Sequence, residues 1–453
     1  MPRFFGQADG IRFKQAVRLE LCGVASIKPG DDPMKSGKKS KRIIIIISIA
    51  VLLIGAAVCF CISGFPRPSL KKISTSVDNS YRNDVRNEYN ANAVGGDDKL
   101  FFEAYNHFLF SGIYQIDSGI TRRVYTAELS ITPYVPFSPY VYRGRMVDVD
   151  NGAICSLNYL NGKFEPFLDP PMKDGEKPSS VFVTGGELYY YMDTGSGDII
   201  YSDIYHYVDD KTIDVAASKE LCGENYYPED FCGDIMYYSL ERDFSEYGYE
   251  NKKFVPNDFE ADFYDCGIRK LYKYNLKERK TEGCIDFSCL DKEIPKKNCA
   301  LFDFFVTDNK VYLFVEKLEK LEDHYPKKII EHDAMLQDIG HASKTLIYRY
   351  DIKTDKLEKL MDIDDCSLTI NGYGDKVYVN VTTESYYGEY GEIGQLKDEL
   401  LTFSDDSDKP TALHDAKDAD KLYIFDEEWL YYSTGANKLY RIHPDGSNNE
   451  CIF

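Results

Sequence analysis

The sequence predicts an all-β fold, a β-propeller of about seven four-stranded blades, preceded by one transmembrane helix. Three observations predict it. A short turn–strand phrase rich in Tyr recurs five times beyond residue 180. Aromatic residues make up 14% of the chain, with 37 Tyr and 26 Phe against a single Trp, and flat rings suit a pleated, half-buried surface. One apolar run, Ile43 to Phe65, carries no charged side chain.

Residues 1–42 are read as a cytoplasmic N-terminal segment. Within it Met34 opens MKSGKKSKR, a complete basic flank for the apolar run. Translation is therefore expected to begin at Met34, with residues 1–33 a mis-assigned start. Residues 43–65 are read as a transmembrane helix, since about 20 apolar residues span a hydrocarbon core of about 30 Å. Lys35, Lys38, Lys39, Lys41 and Arg42 precede the run, and only Arg67, Lys71 and Lys72 follow closely. The excess of positive charge on the amino side places the N-terminus in the cytoplasm and the C-terminal domain outside a cell membrane crossed once. A cleaved signal peptide has a shorter apolar core. Lipid attachment needs a small residue before the cysteine, and Val58 and Phe60 precede Cys59 and Cys61.

Charge divides the chain the same way. The net charge is −21, but residues 1–65 carry +6 and the remainder −27. So acidic a body repels nucleic acid, which is excluded as a partner. Residues 66–97 are polar and read as an extracellular linker, a stalk below the domain at 98–453. Nine cysteines lie beyond the apolar run, with no C-x-x-C pair and no zinc spacing. Free buried thiols and one or two disulfides, within Cys222/Cys232 or Cys284/Cys289, are the open alternatives.

The repeated phrase is clearest as GGELYYYMD at 185–193, GDIMYYSL at 233–240, DNKVYLFV at 308–315, GDKVYVNV at 374–381 and EEWLYYST at 427–434. Partner strands follow at 270–284, 345–360 and 438–452, and weaker copies stand at 107–119 and 145–167. Alternation of period 2 marks strands with one face buried. Asn151–Gly152, Asn161–Gly162 and Asp445–Gly446 mark two-residue turns. A unit of about 40–45 residues built from four strands is a propeller blade. The C-terminal strand is expected to pair with a strand near residue 100 and close the ring.

The last copy, LYYSTGANKLYRIHPDGSN at 430–448, resembles a YWTD-type repeat of the low-density-lipoprotein-receptor-like propellers, and the chain resembles a bacterial family of membrane-anchored domains of that kind. Tyr432 stands where that signature has Trp, and Thr434 where it has Asp. The resemblance implies the fold and leaves the ligand open.

Three units are overlong, at roughly 241–268, 318–343 and 382–399, each between the second and third strand of a blade. Such loops leave a propeller on one face, and insertions gathered on one face often mark where a repeat protein binds. The first insertion interleaves acids with Tyr247, Tyr249, Phe254, Phe259, Phe263 and Tyr264, and the third carries Tyr386, Tyr387 and Tyr390. These rings are the candidate binding residues, since Tyr offers contact area at low entropic cost. The alternative is that they pack on one another and hold the loops folded.

The middle insertion holds His324, Glu331, His332, Asp333 and His341 at no metal spacing, and Asp148–Gly152 lacks the Glu that closes a calcium loop, so no metal is expected. No nucleophile elbow, phosphate loop, dinucleotide fingerprint or zinc-protease motif occurs, so no catalytic residue and no cofactor is expected. The function expected is binding or sensing at the cell surface, with an extracellular protein, peptide or glycan as ligand. A polysaccharide hydrolase or lyase and a structural partner in an envelope complex are the alternatives.

Overall fold

The computed structural model describes residues 48–49, 73–86, 91–104, 111–117, 120–127, 135–171, 176–193, 203–223, 226–240, 270–293, 299–319, 327, 342–364, 366–386, 393–414, 416, 419–434 and 438–453. Of the apolar run 43–65, only Ser48 and Ile49 are among them. No helix of the described residues is long and apolar enough to cross a membrane. The chain divides into two units, and the second, Phe65–Phe453, carries the β-structure of the described residues.

Seven four-stranded antiparallel sheets account for that β-structure. Blade 1 is β1 (Ala93–Gly96), β2 (Lys99–Ala104), β3 (Gly112–Asp117) and β4 (Ile120–Thr126). Blade 2 is β5 (Val141–Tyr142), β6 (Arg145–Asp150), β7 (Ala153–Asn158) and β8 (Lys163–Leu168). Blade 3 is β9 (Lys177–Thr184), β10 (Glu187–Asp193), β11 (Ile204–Asp209) and β12 (Thr212–Ala217). Blade 4 is β13 (Tyr226–Cys232), β14 (Ile235–Leu240), β15 (Lys270–Asn275) and β16 (Lys280–Asp286). Blade 5 is β17 (Cys299–Val306), β18 (Lys310–Glu319), β19 (Ala342–Asp351) and β20 (Lys356–Asp364). Blade 6 is β21 (Cys366–Tyr373), β22 (Lys376–Tyr386), β23 (Ile393–Ser404) and β24 (Thr411–Ala412). Blade 7 is β25 (Lys421–Ile424), β26 (Leu430–Ser433), β27 (Leu439–Ile442) and β28 (Glu450–Cys451). The expected seven-bladed propeller is the fold.

The five clear copies of the phrase are the second strands β10, β14, β18, β22 and β26, each behind its turn. The phrase misses the first, innermost strand, which lies just before the turn. It also misleads about burial. Leu188, Tyr189 and Tyr190 run consecutively along β10 at 0% exposure, and Val311 to Val315 along β18 are all buried. A strand inside a blade is covered on both faces, because each blade packs on two neighbours. Partial exposure appears in outer strands such as β20. Asn151 and Gly152, at φ 53° and 75°, make the tight β6–β7 turn that their sequence predicts. Cys222, Cys232, Cys284 and Cys289 are all free thiols, so neither candidate disulfide forms. Burial pushes the Cys222 thiol up to about 12.

Apolar clusters join the blades around the ring. One spans blades 2 to 4 around Tyr189 and Tyr238. Others join blades 4 and 5, 5 and 6, 6 and 7, and 1 and 2. Blades 7 and 1 meet through Tyr423, Phe425 and Leu439 against Leu100, Phe102 and Tyr114.

This last junction differs from expectation. β28 pairs with β27 of its own blade and β1 pairs with β2, so among the described residues no strand crosses from the last blade into blade 1. Residues 93–96, within the segment read as linker, already supply the first strand of blade 1 and leave no vacancy. Side chains close the ring instead. The Phe453 ring lies 4.9 Å from that of Phe102 and 4.6 Å from that of Tyr114. Gly95 admits the close approach: a Cβ there would stand 2.8 Å from the Phe425 ring. Gly95→Val is expected to cost about 1–3 kcal/mol through overpacking. Urea unfolding reads this, and an unchanged midpoint would show slack at the junction.

Candidate functional site

The channel at the centre of the ring is filled by the chain's own polar segment. Residues 73–86, placed by the sequence in a stalk, are described within the propeller, and they end in a helix, α1 (Ser80–Arg86). The Asp78 carboxylate starts it, accepting from the Ser80 N–H at 3.3 Å and the Ser80 hydroxyl at 2.6 Å. A helix of seven residues is too short to persist alone in water. The ring holds it, and five of its residues, Ser80, Arg82, Asn83, Asp84 and Arg86, are buried.

Each polar side chain of α1 meets a different part of the inner wall. Arg82 Nε donates to the Phe231 carbonyl at 3.2 Å, its Nη2 lies 3.1 Å from the Asp230 carboxylate, and its guanidinium stands 4.3 Å over the Phe305 ring. Arg86 pairs with Asp303, lies 3.2 Å from Asp230, and donates to the Phe304 carbonyl. Asn83 donates to the Ile424 carbonyl at 3.2 Å and accepts from the Ile424 N–H at 3.1 Å and from Asn371 Nδ2 at 2.8 Å. Asp84 accepts from the Tyr140 hydroxyl at 2.6 Å. The Tyr81 ring packs edge-on at 4.4 Å from Phe231. Blades 2, 4, 5, 6 and 7 are thus all engaged by one short segment. Asp230, at 0% exposure, lies between two guanidinium groups.

Burial raises the Asp84 carboxyl to about 6, the Tyr140 hydroxyl bond opposing it and the Asp148 charge adding to it. A carboxyl whose folded pKa lies above its unfolded one gives its full contribution below about pH 4 and loses it as pH rises through about 6. The loss at neutral pH is on the order of 3 kcal/mol, because each tenfold change in proton affinity is worth about 1.4 kcal/mol. Asp84→Asn keeps an oxygen for Tyr140 and removes the charge. It is expected to flatten the fall in stability between about pH 4.5 and 8. The same slope in both proteins would contradict this.

The ring offers two faces. First-to-second and third-to-fourth strand turns share one, the turn face; second-to-third loops and interblade connections share the other, the loop face. The chain meets the turn face first, where the Val77 N–H donates to the Phe425 carbonyl and Asp78 accepts from the Gly186 N–H. It leaves α1 toward the loop face, where β1 begins.

All three insertions fall between second and third strands, as expected: between β14 and β15, between β18 and β19, and between β22 and β23. Tyr247, Tyr249, Phe254, Phe259, Phe263, Tyr264, Tyr387 and Tyr390 lie outside the described residues, as do His324, Glu331, His332, Asp333 and His341. The third insertion is largely an extended ladder, since Val381 pairs with Glu399 and the pairing continues to Tyr386 opposite Ile393. The backbone of Tyr386 therefore sits on a strand, and only residues 387–392 separate β22 from β23.

The described surface holds recesses on the turn face of blades 6 and 7. One of about 350 Å³ lies among Ser74, Ser76, Glu427, Glu428, Trp429 and Arg441. A second of about 190 Å³ adjoins it beside Tyr373 and Asp375. Asp426, on the wall of both, is committed to the turn, accepting from the Glu428 and Trp429 N–H groups and from the Tyr431 hydroxyl at 2.6 Å. Arg441 stands 4.1 Å over the Trp429 ring and donates to Glu450 at 3.0 Å. The sequence signal for this recess was the one Trp of the chain, within EEW. Among the described residues no three His, Cys, Asp or Glu side chains converge as a metal site.

No protein-family model and no curated protein sequence matches the chain. Solved structures match it at low identity. The β-propeller domain of the Trilobed protease from Pyrococcus furiosus is 9% identical, with 80% of this chain and 82% of that one covered and a TM-score of 0.31. A prolyl endopeptidase is 9% identical over 83% of this chain, with a TM-score of 0.40, and this chain spans about half of its length, 52%. An oligogalacturonate lyase in complex with manganese is 10% identical, with 59% and 62% covered and a TM-score of 0.31. The likeness is one of fold.

Proposed function

We propose that the chain is a membrane-anchored binding module of the cell surface, its propeller of the YWTD-like kind and its ligand met by the long loops of the loop face. The observation that carries the reading is the filled channel. A propeller enzyme working from the mouth of its channel needs carboxylates free to act there. Here Asp230 and Asp303 are tied to Arg82 and Arg86, and Asp84 to Tyr140. Apart from the recesses of the turn face, what remains for a ligand is the rim, where loops on a rigid scaffold do most of the recognition in proteins of this design. Residues 43–65 serve as the anchor on the strength of their length and flanking charge.

A soluble fragment beginning at residue 97 would lack α1 and β1, so the fragment to use is 66–453. Its binding to a panel of extracellular glycans and peptides is compared with that of a variant in which 243–267 and 387–392 are replaced by short Gly-Ser turns. These cuts spare the ladder of β22 and β23. Loss of binding with an unchanged melting curve is expected. Binding that survives both replacements, or turnover of a glycan by the fragment, sinks the proposal.

A further inference from the structure

We propose that the channel is a peptide-binding site whose resident ligand is the chain's own segment 79–86, held reversibly and recognised by two arginines one helical turn apart. This goes beyond the reading of the loop face, which rests on the state in which the segment occupies the channel; turnover of a glycan tests that reading, and exchange of residues 79–86 tests this one.

The ring has its own cohesion. Every junction described, including that of blades 7 and 1, is an apolar cluster. The segment meets the wall mainly through polar groups, the Phe231, Phe304 and Ile424 carbonyls, the Asp230 and Asp303 carboxylates and the Asn371 amide, with the Tyr81 ring against Phe231 and Phe182 as its apolar contact. If the segment leaves, these polar groups meet water and are solvated and only the faces of Phe231, Phe182 and Phe305 are uncovered, whereas parting two blades exposes a whole apolar cluster. Burying ions costs nearly what their attraction returns, and the fit is incomplete. Among the described residues, Arg86 Nε and Asp84 Oδ1 are buried without a hydrogen-bond partner. Such an interface opens more cheaply than the ring around it.

The same contacts define the ligand. Residues four apart lie on one side of a helix, so Arg82 and Arg86 both reach Asp230. Asn83, between them, reads the Ile424 backbone as a neighbouring strand would, through one donor and one acceptor. The site is thus suited to a short segment of the form Arg-Asn-x-x-Arg. The resident copy comes from the same chain, because the steps from Arg86 to Ala91 span at most about 18 Å, too little to reach another ring.

Two measurements test this. In the full-length protein, native-state hydrogen exchange is followed at the amides of 79–86 and of β10 and β18. Exchange of 79–86 at least about 100-fold faster, by an opening that leaves the strands protected, is expected. Exchange of all three at one rate makes the segment a permanent part of the core and overturns the proposal. In the second, a protease site is placed within 87–90 of the full-length protein and cut, and a fluorescent peptide of residues 73–90 is added. Saturable uptake is expected, about 100-fold weaker for a peptide carrying R82A and R86A, the loss of several charged hydrogen bonds. Equal uptake of both peptides, no uptake, or collapse of the ring on cutting overturns it.

Discussion

Asp230→Ala is expected to lower the unfolding free energy by about 3–5 kcal/mol, the cost of leaving a buried charge without its partner. Two guanidinium groups lose their shared carboxylate at once, since Arg82 lies 3.1 Å and Arg86 3.2 Å from it. Of the two, Arg86 keeps an ion pair, with Asp303. The loss is limited to the free energy with which the segment docks, because a segment that leaves takes its arginines into water. The variant therefore has a second signature: trypsin cuts after Arg82 and Arg86 under conditions where the strands remain intact. Urea unfolding and limited proteolysis read the two effects. Replacing both arginines by Met in the Asp230→Ala background removes the stranded charges and is expected to recover much of the stability. Full stability in Asp230→Ala alone, with trypsin still excluded, would show that the ion pairs do not hold the segment.

Phe453→Ala is expected to cost about 3 kcal/mol, the order expected for truncating a buried aromatic. The ring is 7% exposed and lies against Phe102 and Tyr114 of blade 1. With no strand exchanged between blades 7 and 1 among the described residues, the contact is a principal side-chain closure of the propeller. The loss should appear as earlier urea unfolding and as protease cleavage in blade 7 and blade 1 before the other blades. Cys451→Ser, an exposed position two residues away, is expected to stay within about 0.5 kcal/mol of the parent. Equal and small effects for the two would place ring closure elsewhere, on Asn92 and the Tyr423 hydroxyl, which bond at 2.6 Å.

Much of the propeller was legible in the residues themselves. Turn-and-strand phrases such as GDKVYVNV carry their structure locally, because a two-residue turn and the strand behind it depend on backbone preference and on burial that any blade provides. Insertion sites were legible for the same reason: a unit of constant length shows where it has been lengthened. The pairing of Val381 with Glu399 was not, since a Tyr-rich hairpin extending beyond its blade has the composition of a loop.

What the sequence could not determine is the fate of 66–97. DNSYRNDVR, at 78–86, is polar, and a polar segment beside an apolar run has the composition of a stalk. It is buried only because seven blades leave a channel whose wall presents Asp230, Asp303, Asn371 and open backbone carbonyls. Those partners stand between 144 and 341 residues away along the chain, and no local pattern marks them as a set. Ring closure had the same character, since whether the last strand crosses over depends on whether the first blade already has its own, and AVGG at 93–96 is too short and too small to announce a strand. The sequence by itself determined the repeat, its strands and its lengthened loops, because these rest on contacts between neighbours in the chain. The tertiary structure alone decided what fills the centre and what closes the circle, because both depend on polar and aromatic groups that only the completed ring brings together.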